Sequence, residues 1–191
     1  SKALRLLFFL ALELQLVDLG DPVHQLGDLV PEFPLDILEG IIRILDNVVE
    51  INRYPLPEIA AMTFGNRKIG LGVMGWADML IRLGIPYNTE EAVAMARKLM
   101  KFIHDEGIEA SRNLALTRGP FPNFKGSLFD QRGEPPIRNA TVTTVAPTGT
   151  ISIIANTSSG VEPVFAVSYV RQVMDDDILV EVHPLFEPVS Y

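Results

Sequence analysis

Over residues 35–50, Ile37, Leu38, Ile41, Ile42, Leu45, Val48 and Val49 recur at helical spacing, with Glu39, Arg43, Asp46 and Glu50 set between them. A period of 3.6 residues puts the first set on one face and the second on the other, which predicts an amphipathic helix ended before Pro55. A longer apolar stripe follows in Ala92, Met95, Ala96, Leu99, Phe102, Ile103, Ala110 and Leu114. Asn88 and Glu91 open it in the manner of a capping box, and Gly119-Pro120 stops it. Between these helices, residues 69–73 form a short apolar run expected as a buried strand, and residues 76–83 a short helix closed by Gly84.

The run from Arg138 to Ile154, RNATVTTVAPTGTISII, carries no charged side chain after its first residue. Thr141, Val142, Thr143, Thr144 and Val145 are all β-branched and suit a strand. Pro147 ends that strand, and Gly149 is expected to permit a turn that a Cβ would hinder. Thr148 or Thr150 then caps a helix through Ile151, Ser152, Ile153 and Ile154. The free N–H groups and dipole of a helix start favour an anion. Ala146, Pro147, Thr148, Gly149, Thr150, Ile151 and Ser152 are therefore the candidate phosphate-binding residues, with backbone N–H groups as the main contacts and the hydroxyls of Thr148, Thr150 and Ser152 assisting. A second apolar strand is expected over residues 165–173. Residues 120–136 read as a loop, and residues 1–34, broken by Gly20, Pro22, Gly27, Pro31 and Pro34, as one short apolar element and a loop.

The chain has 191 residues, an apolar fraction of 48% and a formal charge of −8. That suffices for a sizeable core, and the acidic balance argues against a DNA or RNA surface, which requires clustered Lys and Arg. The apolar stretch from Leu4 to Val17 lacks a cleavage pattern and is interrupted by Arg5 and Glu13, so it reads as core rather than a targeting or membrane segment, and the cytoplasm is the default location. There is no cysteine, which excludes disulfides and thiolate metal sites.

Several motifs reduce to ordinary structure. Gly70-Leu71-Gly72-Val73-Met74-Gly75 satisfies G-x-G-x-x-G, but Asn66-Arg67-Lys68 stand where a dinucleotide-binding turn needs a hydrophobic strand. The glycines are better read as points of close backbone packing. His104, Asp105 and Glu106 diverge around a helix and cannot share a metal. His24 and His183 lack ligand-like spacing, and Asp175, Asp176 and Asp177 read as an exposed turn. Glu162 reads as an acid at a cavity rim or a buried structural carboxylate, with no catalytic role. No metal site and no catalytic residue is assigned.

RNATVTTVAPTGTIS with the following TSSGVEPVFA resembles the C-terminal part of the catalytic barrel of ribonucleotide reductases. Leu45-Asp46-Asn47-Val48-Val49, the block Asn52 to Glu58 (NRYPLPE) and the block Arg67 to Asp78 (RKIGLGVMGWAD) match the same family in the same order. The PTGTIS wording is most similar to the adenosylcobalamin-dependent class II enzymes. The resemblance implies an α/β fold, part of a ten-stranded α/β barrel of the ribonucleotide reductase type, over residues 35–191, with residues 1–34 an atypical N-terminal segment. It also implies a ribonucleotide substrate whose phosphates lie on residues 146–152, a dithiol reductant such as thioredoxin, adenosylcobalamin in the complete enzyme, and the remainder of the barrel or a complementing chain as partner. Family members are several times longer, and the radical cysteine and the reducing cysteine pair of the family have no counterpart here. The chain alone is therefore expected to be inactive, as the C-terminal portion of a barrel. Two alternatives remain at this stage: a non-catalytic structural or interaction remnant, and a dinucleotide-dependent oxidoreductase built on GLGVMG.

Overall fold

The computed structural model describes residues 35–164, 166–172, 178–183 and 185–186. The expectations for residues 1–34, His24 and Asp175 to Asp177 lie outside them. The described residues group into two compact units, one of residues 35–72 with 94–146, the other of residues 73–93 with those from 147 onward. Among them no helix is long and apolar enough to cross a membrane.

In the first unit, helix α1 (Leu35–Ile51) follows most of the predicted stripe: Leu38, Ile41, Ile42 and Val49 are buried, whereas Val48, expected on the same face, is 48% exposed. Asp46 departs from the expected polar face, being wholly buried. It lies four residues after Ile42 and three before Val49, on the buried stripe itself. Helix α2 (Pro57–Asn66) starts on Pro57, whose missing N–H costs nothing at a helix start. None of its residues is buried, so no apolar period announced it. Helix α4 (Glu90–Arg118), which begins in the second unit, contributes Met95, Ile103, Ala110 and Leu114 to the core. At Gly107 it packs on Val142 and Ile42, and it ends at Gly119, whose φ is 77° and whose N–H donates to Ala115 O. The expected loop over residues 120–136 contains a 3₁₀ turn, Pro122–Phe124, and the short helix α5, Leu128–Gln131, both set around buried Phe121.

The two strands expected in this unit meet at a single parallel bridge, Leu71 with Thr143. Leu71 N–H donates to Val142 O at 2.8 Å and Thr144 N–H to Leu71 O at 3.0 Å. One step earlier the ladder fails, because Ile69 N–H reaches Thr141 O and the hydroxyl of Thr141, not an amide, takes Ile69 O. The glycines explain the close approach: a Cβ on Gly72 would stand 2.5 Å from Thr144 O, and one on Gly70 2.6 Å from the Thr144 side chain.

In the second unit, helix α3 (Trp76–Leu83) buries Trp76, Ala77 and Leu80 and closes on Gly84 at φ 69°. Helix α4 is opened by Thr89 rather than by the expected Asn88 and Glu91: Thr89 Oγ accepts from Ala92 N–H and donates to Pro86 O. Helix α6 spans Gly149–Ala155. Strand β1 (Ser168–Gln172) lies within the expected 165–173 segment and pairs antiparallel with β2 (Ile178–Val182), which sequence pattern had not singled out. Phe165 and Val173 fall outside the described residues. The described part is thus mainly helical, with one hairpin and one isolated bridge.

Candidate functional site

Of the candidate residues 146–152, Thr148 departs most from expectation. A turn that a Cβ would hinder is expected at Gly149, yet a Cβ there would meet nothing within 4 Å, and the left-handed residue is Thr148, at φ 52° and ψ 23°. A β-branched residue in that region is strained by on the order of 1–3 kcal/mol unless its surroundings hold it. Here they do: Thr148 Oγ accepts from Gly160 N–H at 2.6 Å, and Thr148 O accepts from Ser152 N–H at 2.9 Å as the first bond of α6. The hydroxyl therefore does not cap the helix.

The N–H groups of Gly149, Thr150 and Ile151 follow, and none finds an acceptor among the described residues. No acidic residue stands in the first turn of α6. A helix start with three free donors and no acidic residue in its first turn suits an anion. The expected help from hydroxyls is narrower than the sequence suggested. Ser152 Oγ is buried and shared between Gly149 O at 3.0 Å and Ser159 Oγ at 2.8 Å, and Thr148 Oγ is taken by Gly160. Thr150 alone keeps an exposed hydroxyl. Ala146 and Pro147 precede the turn, half-buried and exposed respectively.

The loop after α6 is fastened to the start of α3. Asp78 Oδ2 accepts from Thr157 Oγ at 2.9 Å and from Ser158 N–H at 3.1 Å, and Asp78 N–H donates to Ser158 Oγ at 3.3 Å. Gly75 N–H donates to Ser158 O at 2.8 Å and Trp76 N–H to Gly160 O at 3.4 Å. Three donors at the start of α3, those of Gly75, Trp76 and Asp78, are thus taken by the chain itself where a dinucleotide at GLGVMG would require them, and a Cβ on Gly75 would stand 2.6 Å from Thr157 Oγ. His183, set aside on spacing, joins the cluster: Leu185 N–H donates to Nδ1 at 3.3 Å, so the ring proton sits on Nε2 and is donated to Asp78 Oδ1 at 3.1 Å. Glu162 is exposed, so the buried-carboxylate alternative does not hold. His104 lies on exposed helix surface with Nδ1 3.4 Å from Thr143 Oγ, and no cluster of metal-binding side chains occurs among the described residues.

A second polar cluster, in the other unit, is closed. Asp46 Oδ1 accepts from Arg67 Nε at 2.8 Å and Asn139 Nδ2 at 3.0 Å, and Oδ2 from Arg118 Nη1 at 2.9 Å and Arg138 Nε at 3.3 Å. Arg67, itself buried, also reaches Asp46 O and Glu50 Oε2. Asn139 accepts from Ser111 Oγ at 2.8 Å and donates its N–H back to that oxygen at 3.0 Å. Burial pushes the Asp46 carboxyl upward, but hydrogen bonds from Arg67 and Arg118 and the charges of Arg138 and Arg67 outweigh it and hold the group below its ordinary value. For Arg67, burial acts downward and bonds to Asp46 and Glu50 prevail, raising it. Every lone pair of this carboxylate is used, so the cluster ties elements together and leaves no position for a ligand.

Comparison with known proteins places these geometries in context. Residues 35–135 and 128–189 match the family described as the barrel domain of ribonucleotide reductase. The chain is 53% identical over 145 residues to a vitamin B12-dependent ribonucleoside-diphosphate reductase of Thermoplasma acidophilum, covering 76% of this chain and 19% of that protein. It is 51% identical over 157 residues to the protein of the same name from Mycobacterium tuberculosis, covering 82% and 22%. A ribonucleoside-diphosphate reductase subunit alpha of Chlamydia trachomatis is 33% identical over 185 residues, covering 78% and 18%. The chain thus spans about a fifth of the length of the curated relatives it matches.

Proposed function

The chain belongs to the ribonucleotide reductase barrel-domain family, and from that premise we propose that it forms part of a ten-stranded catalytic barrel and supplies the cradle for the substrate's phosphates. The observation that carries this reading is the run of N–H groups on Gly149, Thr150 and Ile151 that find no acceptor among the described residues, at a helix start with no acidic residue in its first turn, inside the segment that matches the family. Donors fixed by backbone bind a phosphate without reorganising. Residues 146–152 are the proposed site, with Thr150 Oγ the one hydroxyl there without a protein partner.

The proposed reaction of the complete enzyme is reduction of a phosphorylated ribonucleotide to the deoxyribonucleotide, for DNA precursors. A dithiol gives two electrons and becomes a disulfide while the 2′ hydroxyl leaves as water. This chain has no cysteine, so neither the radical nor the dithiol can reside on it, and alone it is inactive. The remaining barrel, or a complementing chain, would carry those thiols, and thioredoxin or a similar dithiol would restore them. The two vitamin B12-dependent relatives support adenosylcobalamin as the radical source of the complete enzyme, and none of the described residues is assigned to hold it. This reading sets the enzyme in the cytoplasm, without nucleic-acid or membrane contact.

The test is substrate affinity in this chain complemented by the remainder of a reductase barrel. Gly149→Pro removes one donor and disfavours the left-handed Thr148 before it, so it should weaken a nucleoside diphosphate roughly tenfold or more. Thr150→Ala, which removes one hydroxyl, should cost only a few-fold. Unchanged affinity for a folded Gly149→Pro protein would mean that the phosphates lie elsewhere.

A further inference from the structure

Asp78 does not touch the candidate turn, yet a continuous set of hydrogen bonds leads from it to Thr148. Its Oδ2 takes the hydroxyl of Thr157 and the N–H of Ser158. The same loop then turns through Gly160, at φ 45°, and Gly160 N–H reaches Thr148 Oγ at 2.6 Å. Ser159 Oγ in turn meets Ser152 Oγ at 2.8 Å. The strained residue of the turn is therefore held by a loop whose own anchor is this carboxylate. Asp78 is also the third residue of α3, where its charge is favoured by the helix dipole.

We propose that Asp78 is a positioning residue for the substrate-phosphate turn, holding residues 157–160 so that Gly160 N–H keeps Thr148 left-handed and the N–H groups of residues 149–151 exposed. This rests on the phosphate reading of the turn. The two carboxylate oxygens have separate duties: Oδ2 serves the loop, and Oδ1 serves His183. Removing His183 should therefore leave the loop in place, whereas removing Asp78 should release it.

The experiment uses the full chain in complex with the remainder of a reductase barrel and has two readouts. One is hydrogen exchange at the Gly160 amide. The other is affinity for adenosine diphosphate, with adenosine as the phosphate-free control. Asp78→Ala should speed exchange at Gly160 about tenfold or more and weaken adenosine diphosphate by a similar factor, leaving adenosine unchanged. His183→Ala should change each by less than about threefold, since it takes only the Oδ1 bond. If Asp78→Ala does not fold, Asp78→Leu carries the same comparison, because it fills the space of the carboxylate and leaves no accepting oxygen. Unchanged exchange at Gly160 in the Asp78 variants overturns the proposal, as does a His183→Ala effect equal to that of Asp78→Ala. If the unsubstituted protein binds adenosine diphosphate no better than adenosine, the phosphate reading falls, and exchange at Gly160 alone decides whether Asp78 holds the turn.

Discussion

Two aspartates, one in each unit, show how the same side chain serves rigidity in one place and presentation in another. Asp46 is wholly buried and meets three guanidinium groups and an amide, so that α1, the end of α2, α4 and the segment at Asn139 share one ionic centre. Asp78 keeps slight exposure and accepts from a hydroxyl, a backbone N–H and an imidazole. The first has all four of its accepting positions used. The second fixes a loop that takes the Gly75, Trp76 and Asp78 N–H groups at the start of α3 and leaves those of Gly149, Thr150 and Ile151 open. A charge surrounded by charges locks packing, while one surrounded by neutral donors shapes a loop at lower cost, and the candidate ligand site lies with the latter.

The sharpest way to break the contrast is Asp46→Ala. It leaves the Arg67 guanidinium buried without its carboxylate, and the expected loss is about 3–5 kcal/mol, read as a lowered midpoint in chemical denaturation. A loss under about 1 kcal/mol would show that the ionic centre is solvated on opening and does not lock the unit. The same carboxylate sets a pH dependence. Its folded-state value lies below the unfolded one, so its contribution is complete above the unfolded value of about 3.9 and fades as pH falls toward the folded one. The unsubstituted chain should lose stability in that acid range more steeply than Asp46→Asn.

A smaller effect tests the other unit. Thr148→Val keeps the β-branch and removes the hydroxyl, leaving Gly160 N–H without its acceptor, for an expected cost of about 1–2 kcal/mol. Amide exchange confined to residues 157–160 would sharpen the contrast, and a global loss matching Asp46→Ala would erase it. The smallest effect belongs to Glu50→Gln. Glu50 meets Arg67 from the surface, its side chain 63% exposed, so less than about 1 kcal/mol is expected in a thermal melt. A larger cost would mean that Arg67 depends on both carboxylates equally.

Helices α1, α3 and α4 were legible because each has an apolar stripe and a stop signal that act locally: Gly84 closes α3 and Gly119 closes α4. Helix α2 was not, since it buries nothing. The two strands expected in the first unit did not form beyond the single Leu71–Thr143 bridge, and one step earlier the Thr141 hydroxyl, not an amide, takes Ile69 O. In the candidate site, the sequence marked residues 146–152 correctly as a turn into a helix and misplaced the strain within it. The left-handed residue is a threonine, and only a partner twelve residues away makes that tolerable.

By itself, then, the sequence determined most of the amphipathic faces, the helix stops at Gly84 and Gly119, the close packing at Gly70 and Gly72, and the family, all of which depend on residue type and near spacing. Tertiary structure alone decided that Asp46 faces inward to three arginines 21, 72 and 92 residues away, that Asp78 and His183 meet across 105 residues, and that the Gly75, Trp76 and Asp78 N–H groups are taken while those of Gly149, Thr150 and Ile151 find no acceptor among the described residues. The physical reason is the same in each case. A polar group's fate is set by which partners arrive to satisfy it, and those partners come from segments whose approach no local pattern encodes.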